Sequence, residues 1–417
     1  MIYWAPFLHF YQPPTQYGAI LKKICNESYR PLLNMLREHQ NARVTINICG
    51  VLTEMLDEHG ASDIISSIKE LAINNQIEFV GSAKYHAILP LIPKEEMSRQ
   101  IELNQATNSY FFKEAYKTRG FFPPEMCYSD EVALILCAMG YEWVLVSGIA
   151  CADKWPLDKI YKAPFGDSQM QIFYRDDIIS NKISFHSIDS VAFLSELINL
   201  TQGKKDAYII TAMDAETFGH HIPRWEELFL AKVYEMIDAN AGERKAIFEA
   251  GRKVEIKAVT ISELTEIFPA ILSKPPKPSS WSSSKEDIAG RNYYSLWKNP
   301  HNPLHRRQWE HLRLCVKLVN DACKFKDNKE SERFYGICRA LLDKALHSCQ
   351  FWWANKGRTW DINMINRGLM LQEEAALNAY KSIHTSGAAR RTKRHLYHEI
   401  TALRKVTNKI RDSFFKL

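Results

Sequence analysis

The sequence lacks any paired cysteine motif. Its nine cysteines, at positions 25, 49, 127, 137, 151, 315, 323, 338 and 349, contain no CxxC. A zinc ribbon is therefore not indicated, and their odd number and apolar surroundings suit small buried hydrophobes. No apolar run approaches the roughly 20 residues of a membrane-spanning helix. The opening residues, MIYWAPFLHFYQPP, lack the basic start and small-residue cleavage site of a secretory leader. These absences lead to the expectation of a soluble, reduced, cytoplasmic protein.

A distributed positive charge is also missing. The chain carries +6 overall, but residues 385–417 hold nine Lys and Arg (390, 391, 393, 394, 404, 405, 409, 411 and 416) against Glu399 and Asp412, which leaves the rest at −1. The local surplus argues against a nucleic-acid partner. Leu396, Ile400, Leu403, Val406 and Ile410 in the same tail are spaced for one helical face. The tail reads as a docked amphipathic helix with a solvated basic side; an anionic or membrane-surface partner is the other reading.

What is present suits a large enzyme-sized core: 417 residues, 46% hydrophobic and 24% charged. Up to residue 270, short β-branched or aromatic runs alternate with helical patterns. Strands are predicted at 2–9, 43–49, 77–81, 118–122, 142–147, 171–174, 207–213 and 254–259, with helices such as 61–75 and 191–200 between them. Seven or eight repeated βα units fit a closed parallel barrel, whose chemistry gathers at the C-terminal strand ends. A Pro/Ser-rich segment, SKPPKPSSWSSSKED (273–287), follows and carries Trp281. Beyond it the texture is helical: 308–324, 331–355 and 362–383. The expected division is a barrel over 1–270, a linker over 271–290 and a helical domain over 291–417, with the linker forming part of the active-site rim.

In GFFPPEMCYS (120–129) two prolines stop an aromatic strand and one carboxylate, Glu125, follows at once. A second, Asp214, ends the strand AYIITAM and begins the run AETFGHH. The two lie 89 residues apart, yet a parallel barrel brings both strand ends to one face. Two carboxylates flanking one bond are what glycosidic cleavage needs: separations of about 5–5.5 Å go with retention and about 6.5–9.5 Å with inversion. Two unrelated helix caps or ion-pair members are the plainer alternative. His9 and Tyr11 alternate at the end of the first strand and face one way. His86 reads as a structural histidine by position, and Glu78 as either a site residue or a solvent-facing one. Trp4, Phe122, Tyr128, Trp225, Trp281, Trp352 and Trp353 are candidate sugar-stacking faces, although most tryptophans in such a chain are core.

Five stretches together resemble glycoside hydrolase family 57, the α-amylase and 4-α-glucanotransferase family. They are LHFYQPP (8–14), EFVGSAKYHAILPLIP (78–93), GFFPPEMCYS (120–129), AMDAETFGHH (212–221) and SSWSSSKEDIAGR (279–291), in the family's order. LWKNPHNPLHRRQWE and ALHSCQFWWA extend the likeness into the C-terminal part. The resemblance implies a (β/α)7-type barrel followed by a helical C-terminal domain, retaining chemistry on an α-glucan or other oligosaccharide or polysaccharide, and no cofactor or metal in bond breaking. It implies Glu125 as nucleophile and Asp214 as general acid/base, with His9, Tyr11, Glu78, His86, Phe122, His221 and Trp281 as substrate-binding residues. The family commonly has a second histidine in place of Tyr11 and a tryptophan in place of Phe122. The region after Trp281 also lacks the family's usual small residues, His and Gly.

Two rival readings stand beside this one. A metal-dependent polysaccharide deacetylase or zinc α-mannosidase would use His9, Asp214, His220 and His221 as ligands, though no HxxxH or HExxH spacing surrounds them. A glucan-binding protein derived from an enzyme is the non-catalytic alternative.

Overall fold

The structure, a computed structural model, describes residues 1–152, 155–241, 247–249, 252–356 and 359–415. Lys416 of the basic tail lies outside these. The chain divides into two compact units, one of residues 1–12, 16–84 and 89–285, the other of residues 13–15, 85–88 and 286–417.

The first unit is a parallel barrel. Its strands are β1 (Ile2–Phe10), β2 (Val44–Ile48), β3 (Ile77–Gly81), β4 (Thr118–Phe121), β5 (Trp143–Ser147), β6 (Ile160–Phe165), β7 (Ser168–Arg175) and β8 (Ala207–Asp214). Hydrogen-bonded neighbours run β1–β2–β3–β4–β5–β7, and β8 returns to pair with β1 over Ile2–His9. Between β7 and β8 the wall is bridged by Asp176 N–H donating to the Ile210 carbonyl at 2.8 Å. Seven parallel strands thus form the wall, and β6 stands outside it as an antiparallel partner of β7. β2 and β5 are buried along their whole length, as strands covered on both faces should be.

Side-chain alternation fills the barrel in layers. Ala5 and Phe7 of β1, Val80 of β3, Trp143 and Leu145 of β5, Phe173 of β7 and Ile210 and Ala212 of β8 form one buried apolar cluster, joined by Phe122. Two residues further along β1, β5, β7 and β8 the same side of the alternation becomes polar, at His9, Ser147, Arg175 and Asp214, and Asn47 of β2 is level with His9. Gly120 permits the tight packing, because a Cβ there would meet the Trp143 ring at 2.1 Å.

Outside the wall, helices present single apolar stripes. Ser62–Ile73 buries Ile64, Ile65, Ile68 and Leu71, matching the stripe read from the sequence. Two parts of the sheet went unread in the sequence, β6 and the short strand Ala270–Leu272, which pair with each other. The predicted strand 254–259 shortens to Ile256–Ala258, parallel to β1.

The second unit is helical: Pro303–Cys323, Lys329–Ala345, Ile362–Thr385 and Arg390–Ser413 are its long helices. Asn302, Asn328 and Asp361 cap the first three through side-chain oxygens on backbone N–H groups. The run 331–355 is not one helix; it breaks after Ala345 and resumes at Cys349–Trp352. In Arg390–Ser413 the buried residues include Leu396, Leu403, Val406 and Ile410, the predicted face. No described helix is long and apolar enough to cross a membrane.

Candidate active site

The polar layer at the C-terminal strand ends is where the barrel can do chemistry. Parallel pairing sets Asn47, His9 and Asp214 level with one another, since His9 is in register with Asn47 on one side and Asp214 on the other. Asn47 Oδ1 accepts from His9 Nδ1 at 2.8 Å, which fixes the proton on Nδ1. Burial lowers the His9 pKa to about 4, so the ring is neutral at ordinary pH.

Glu125 follows β4 in a one-turn helix whose backbone is unusual: Glu125 has φ 58° and ψ 19°, and Met126 φ 50°. Its carboxylate accepts from Trp281 Nε1 at 2.7 Å, and its carbonyl from Trp281 N–H at 3.1 Å. The Pro/Ser-rich segment is therefore fastened to the acid at two points, with a further bridge between Tyr128 and Ser279. The Trp281 ring meets Phe122 and His9 edge-on, with centroids 5.8 and 6.0 Å away.

Arg175, at the end of β7, is buried. It donates to the Ala212 carbonyl at 2.8 Å and to Asp177 and Asn181 at 2.9 Å each. Its guanidinium carbon lies 5.7 Å from the centre of the Trp281 ring. Asp214 feels this cation, and two more carboxyl groups with shifted proton affinity, Glu125 and Glu216, follow strands β4 and β8. Glu125 is pushed up to about 8, first by burial and then by the charge of Asp214, with the Trp281 N–H opposing. Asp214 is raised by burial against the pull of Arg175. Glu216 is raised by burial and by Asp214, against donors from Tyr29 and Gln12. Of the two strand-end acids read from the sequence, Asp214 thus bears on Glu125 through its charge.

A family model described as glycosyl hydrolase family 57 matches residues 6–266. The chain belongs to glycosyl hydrolase family 57. An α-amylase of Pyrococcus abyssi is 29% identical over 216 residues, 51% of this chain and 32% of its own. A 4-α-glucanotransferase of Thermococcus litoralis is 26% identical over 220 residues, 51% of this chain and 32% of its own. The chain thus matches about a third of the length of these curated relatives. The crystal structure of a family 57-type branching enzyme from Pyrococcus horikoshii aligns over 98% of this chain and 95% of its own, with a TM-score of 0.70 at 16% identity, a likeness of fold.

Not every residue singled out in this family 57 chain joins the acids. Glu78 is second in β3, at the other end of the barrel wall, where it accepts from Thr45 Oγ1 at 2.9 Å and Ser262 N–H at 3.2 Å. It is neither level with the pair nor turned to solvent; it ties the start of the Ile261–Ile267 helix to the sheet. Phe122 is fully buried and stacks on Phe7 at 4.8 Å, so it offers no face to a sugar. His86 belongs to the other compact unit, where its Nδ1 and Ser348 Oγ are 2.8 Å apart. His221 is exposed, and Tyr11 is half-buried with its ring stacked on His9 at 6.0 Å. Trp4, Tyr128 and Trp225 are core. Trp352 and Trp353 pack edge to face in the helical unit.

The rival ligand set does not converge: His9 is bonded to Asn47, and His220 Nδ1 to Glu27 Oε2 at 2.7 Å. Among the described residues, no three His, Cys, Asp or Glu side chains are grouped to hold a metal ion. Conversely, sequence reading missed Asn47, Arg175 and Glu216. Strand alternation extended two residues past Phe173 would have found Arg175, and Asn47 was signalled by a lone amide inside the apolar run VTINI.

Proposed function

We propose that this chain is a retaining glycoside hydrolase or transglycosylase acting on α-linked glucans through a covalent glycosyl-enzyme intermediate. The observation that carries the reading is that Trp281 bonds Glu125 at 2.7 Å while its ring meets His9, the register partner of Asp214, so that two distant strand ends come to one end of the barrel. The names of the relatives, α-amylase and 4-α-glucanotransferase, support the choice of an α-glucan.

Glu125, as the carboxylate, attacks the anomeric carbon while the bond to the leaving oxygen breaks and Asp214's proton passes to that oxygen. Asp214 then takes a proton from water or from a sugar hydroxyl, whose oxygen displaces Glu125. The Trp281 N–H steadies Glu125 as an anion and as a leaving group, and Trp281, half-buried, is the aromatic best placed to meet the sugar. Neutral His9 and Asn47 supply hydrogen bonds beside Asp214 without adding charge.

The test is incubation with maltooligosaccharides of one defined length. Hydrolysis creates new reducing ends; transfer redistributes lengths without them. Glu125→Gln is expected to abolish turnover while the fold and sugar binding persist. Near-normal turnover in that variant, or inertness of the native protein toward every α-glucan, would overturn the reading.

A further inference from the structure

Arg175 has a position that the proposed bond-breaking does not account for. It ends β7 beside Trp281, and its side chain is 4% exposed. A guanidinium is planar, with every N–H on its rim and none on its two faces. Here the rim is committed to protein on three sides. Nε donates to the Ala212 carbonyl of β8 at 2.8 Å, closing the wall where β7 gives way to a helix. Nη1 donates to Asp177 Oδ1 and Nη2 to Asn181 Oδ1, at 2.9 Å each, both in the Asp177–Ser184 helix. Asp177 is anchored in turn: its Oδ2 accepts from Ser147 Oγ of β5 at 2.8 Å and from Ile149 N–H at 2.9 Å. The guanidinium is thereby fixed by three strand ends, β5, β7 and β8. It lies over the Trp281 ring, with Cζ 5.7 Å from the ring centre.

A brace for the wall alone does not need a cation. A buried ion pair seldom repays the desolvation of its charges, and an apolar side chain of similar volume often packs as stably. What the apolar side chain does not supply is positive charge against an indole whose N–H is in use. Trp281 Nε1 donates to Glu125 Oε2 at 2.7 Å, from a segment that has no helix or strand at Trp281 to set the ring. A cation over an aromatic face is attracted by the ring's electron density. Drawing that density away from the nitrogen makes the N–H a stronger donor to a carboxylate.

Resting on the reading of Glu125 as nucleophile, we propose that Arg175 is a positioning residue for it: held at its rim by β5, β8 and the Asp177–Ser184 helix, the guanidinium fixes the Trp281 indole from one face and strengthens the N–H that Trp281 donates to Glu125. In the first step that bond keeps Glu125 ionised for attack. In the second it makes Glu125 the better leaving group as water or a sugar hydroxyl displaces it.

The experiment is a double-mutant cycle on kcat/KM with a maltooligosaccharide of defined length, using Arg175→Gln, Trp281→Phe and the two together. Phenylalanine keeps a ring against the guanidinium but has no N–H, so a contribution that passes through the N–H is already absent from that variant. Arg175→Gln is expected to lower kcat/KM about tenfold in the native background and less than about twofold in the Trp281→Phe background. Equal losses in both backgrounds would leave Arg175 a brace of the wall and overturn the proposal. A second readout needs no substrate. With the indole nitrogens isotopically labelled, the Trp281 N–H resonance is the one missing from Trp281→Phe, and it is expected to move upfield in Arg175→Gln as the bond to Glu125 weakens. An unmoved resonance overturns the proposal. Arg175→Lys keeps a charge beside Asp177 without the planar fork, and it is expected to recover part of both effects. If Arg175→Gln fails to fold in a thermal melt, cycle and resonance are read on Arg175→Lys, and additive losses or an unmoved resonance there overturn it instead. A native chain inert toward every α-glucan would fail the proposed function, while the Trp281 resonance would still report whether Arg175 governs the bond to Glu125.

Discussion

Glu125 and Met126 both take left-handed backbone angles, φ 58° and 50°. Such residues cost on the order of 1–3 kcal/mol each in a non-glycine side chain and persist only where surroundings over-determine them. Pro123 and Pro124 before the acid, and the two Trp281 bonds across it, provide that constraint. The proposed chemistry needs Glu125 ionised and Asp214 protonated, so kcat/KM should fall at low pH as Glu125 is neutralised and at high pH as Asp214 ionises. With Glu125 near 8 and Asp214 near 6 the productive pair is a minority form whose share is level between those values, so we expect a bell with one break near pH 6, tracking Asp214, and the other near pH 8, tracking Glu125. Trp281→Phe removes a donor that lowers the Glu125 pKa, so it should carry the Glu125 limb to higher pH and leave the Asp214 limb in place; pH–rate profiles on maltooligosaccharides would check it. At this scale Glu125, Asp214 and Trp281 were legible because each sits at an abrupt change of texture: two prolines, a strand end, a tryptophan in a serine run. Glu216 was not, because its partners Tyr29 and Gln12 lie 187 and 204 positions away. Arg175 was hidden in IFYRDD, where a cation at a strand end looks solvated until β8 is seen beside it.

The helices of the C-terminal unit are joined by polar side chains as well as by apolar stripes. His311 of Pro303–Cys323 bonds Gln372 Oε1 of Ile362–Thr385 at 2.7 Å through Nδ1 and Thr407 Oγ1 of Arg390–Ser413 at 2.9 Å through Nε2. Gln372 continues the chain to Gln350 Oε1 at 2.7 Å, and the Gln350 carbonyl accepts from Gln308 at 2.9 Å. Gly368 allows the approach, since a Cβ there would lie 2.5 Å from Gln350 Cβ. His311→Leu would strand the buried Gln372 amide oxygen and leave the Thr407 hydroxyl only its bond to the Leu403 carbonyl at 3.2 Å, so we expect it to destabilise by about 1–3 kcal/mol, measured by urea unfolding. His311→Gln, which can restore one bond, should recover part of that loss. Helix stripes of this unit were readable from spacing; the network was not, because amides and histidines on a buried face carry no period of their own. The β6–β7 hairpin was missed for a different reason. Pro164 and Lys162 lowered β6's apparent strand character, yet the two-residue turn Gly166–Asp167, with Gly166 at φ 59°, is a hairpin signal. Pro164 is tolerated because only Ile160–Lys162 of β6 pairs with Ala270–Leu272, so its missing N–H faces outward.

For the molecule as a whole, the buried titratable groups oppose one another across neutral pH. His9, His305 and His311 are lowered to about 4 and His347 to about 3, in each case chiefly by burial. The unfolded chain protonates these rings near pH 6.5, while the folded chain resists, so stability is lost as pH falls from about 6.5 toward about 4. The site carboxyls act in the other direction. Below about pH 4 folded and unfolded chains both hold the Glu125 proton; as pH rises, the unfolded chain releases it first, and the folded state loses about 1.4 kcal/mol per pH unit until about 8. Asp214 and Glu216, also raised, add to the same slope. Above pH 6.5 the histidine contribution is level and only the carboxyl slope remains, which places the stability maximum near pH 6.5. Glu125→Gln removes one of the destabilising groups, and so the residue proposed as indispensable for turnover should be one whose neutral replacement stabilises the fold. Calorimetric melts of the two forms should coincide near pH 4.5 and separate progressively to pH 8, with the variant melting higher. An unchanged gap across that range would mean that Glu125 keeps an ordinary carboxylate's proton affinity, and with it the coupling to Asp214 on which the proposed chemistry rests would be lost.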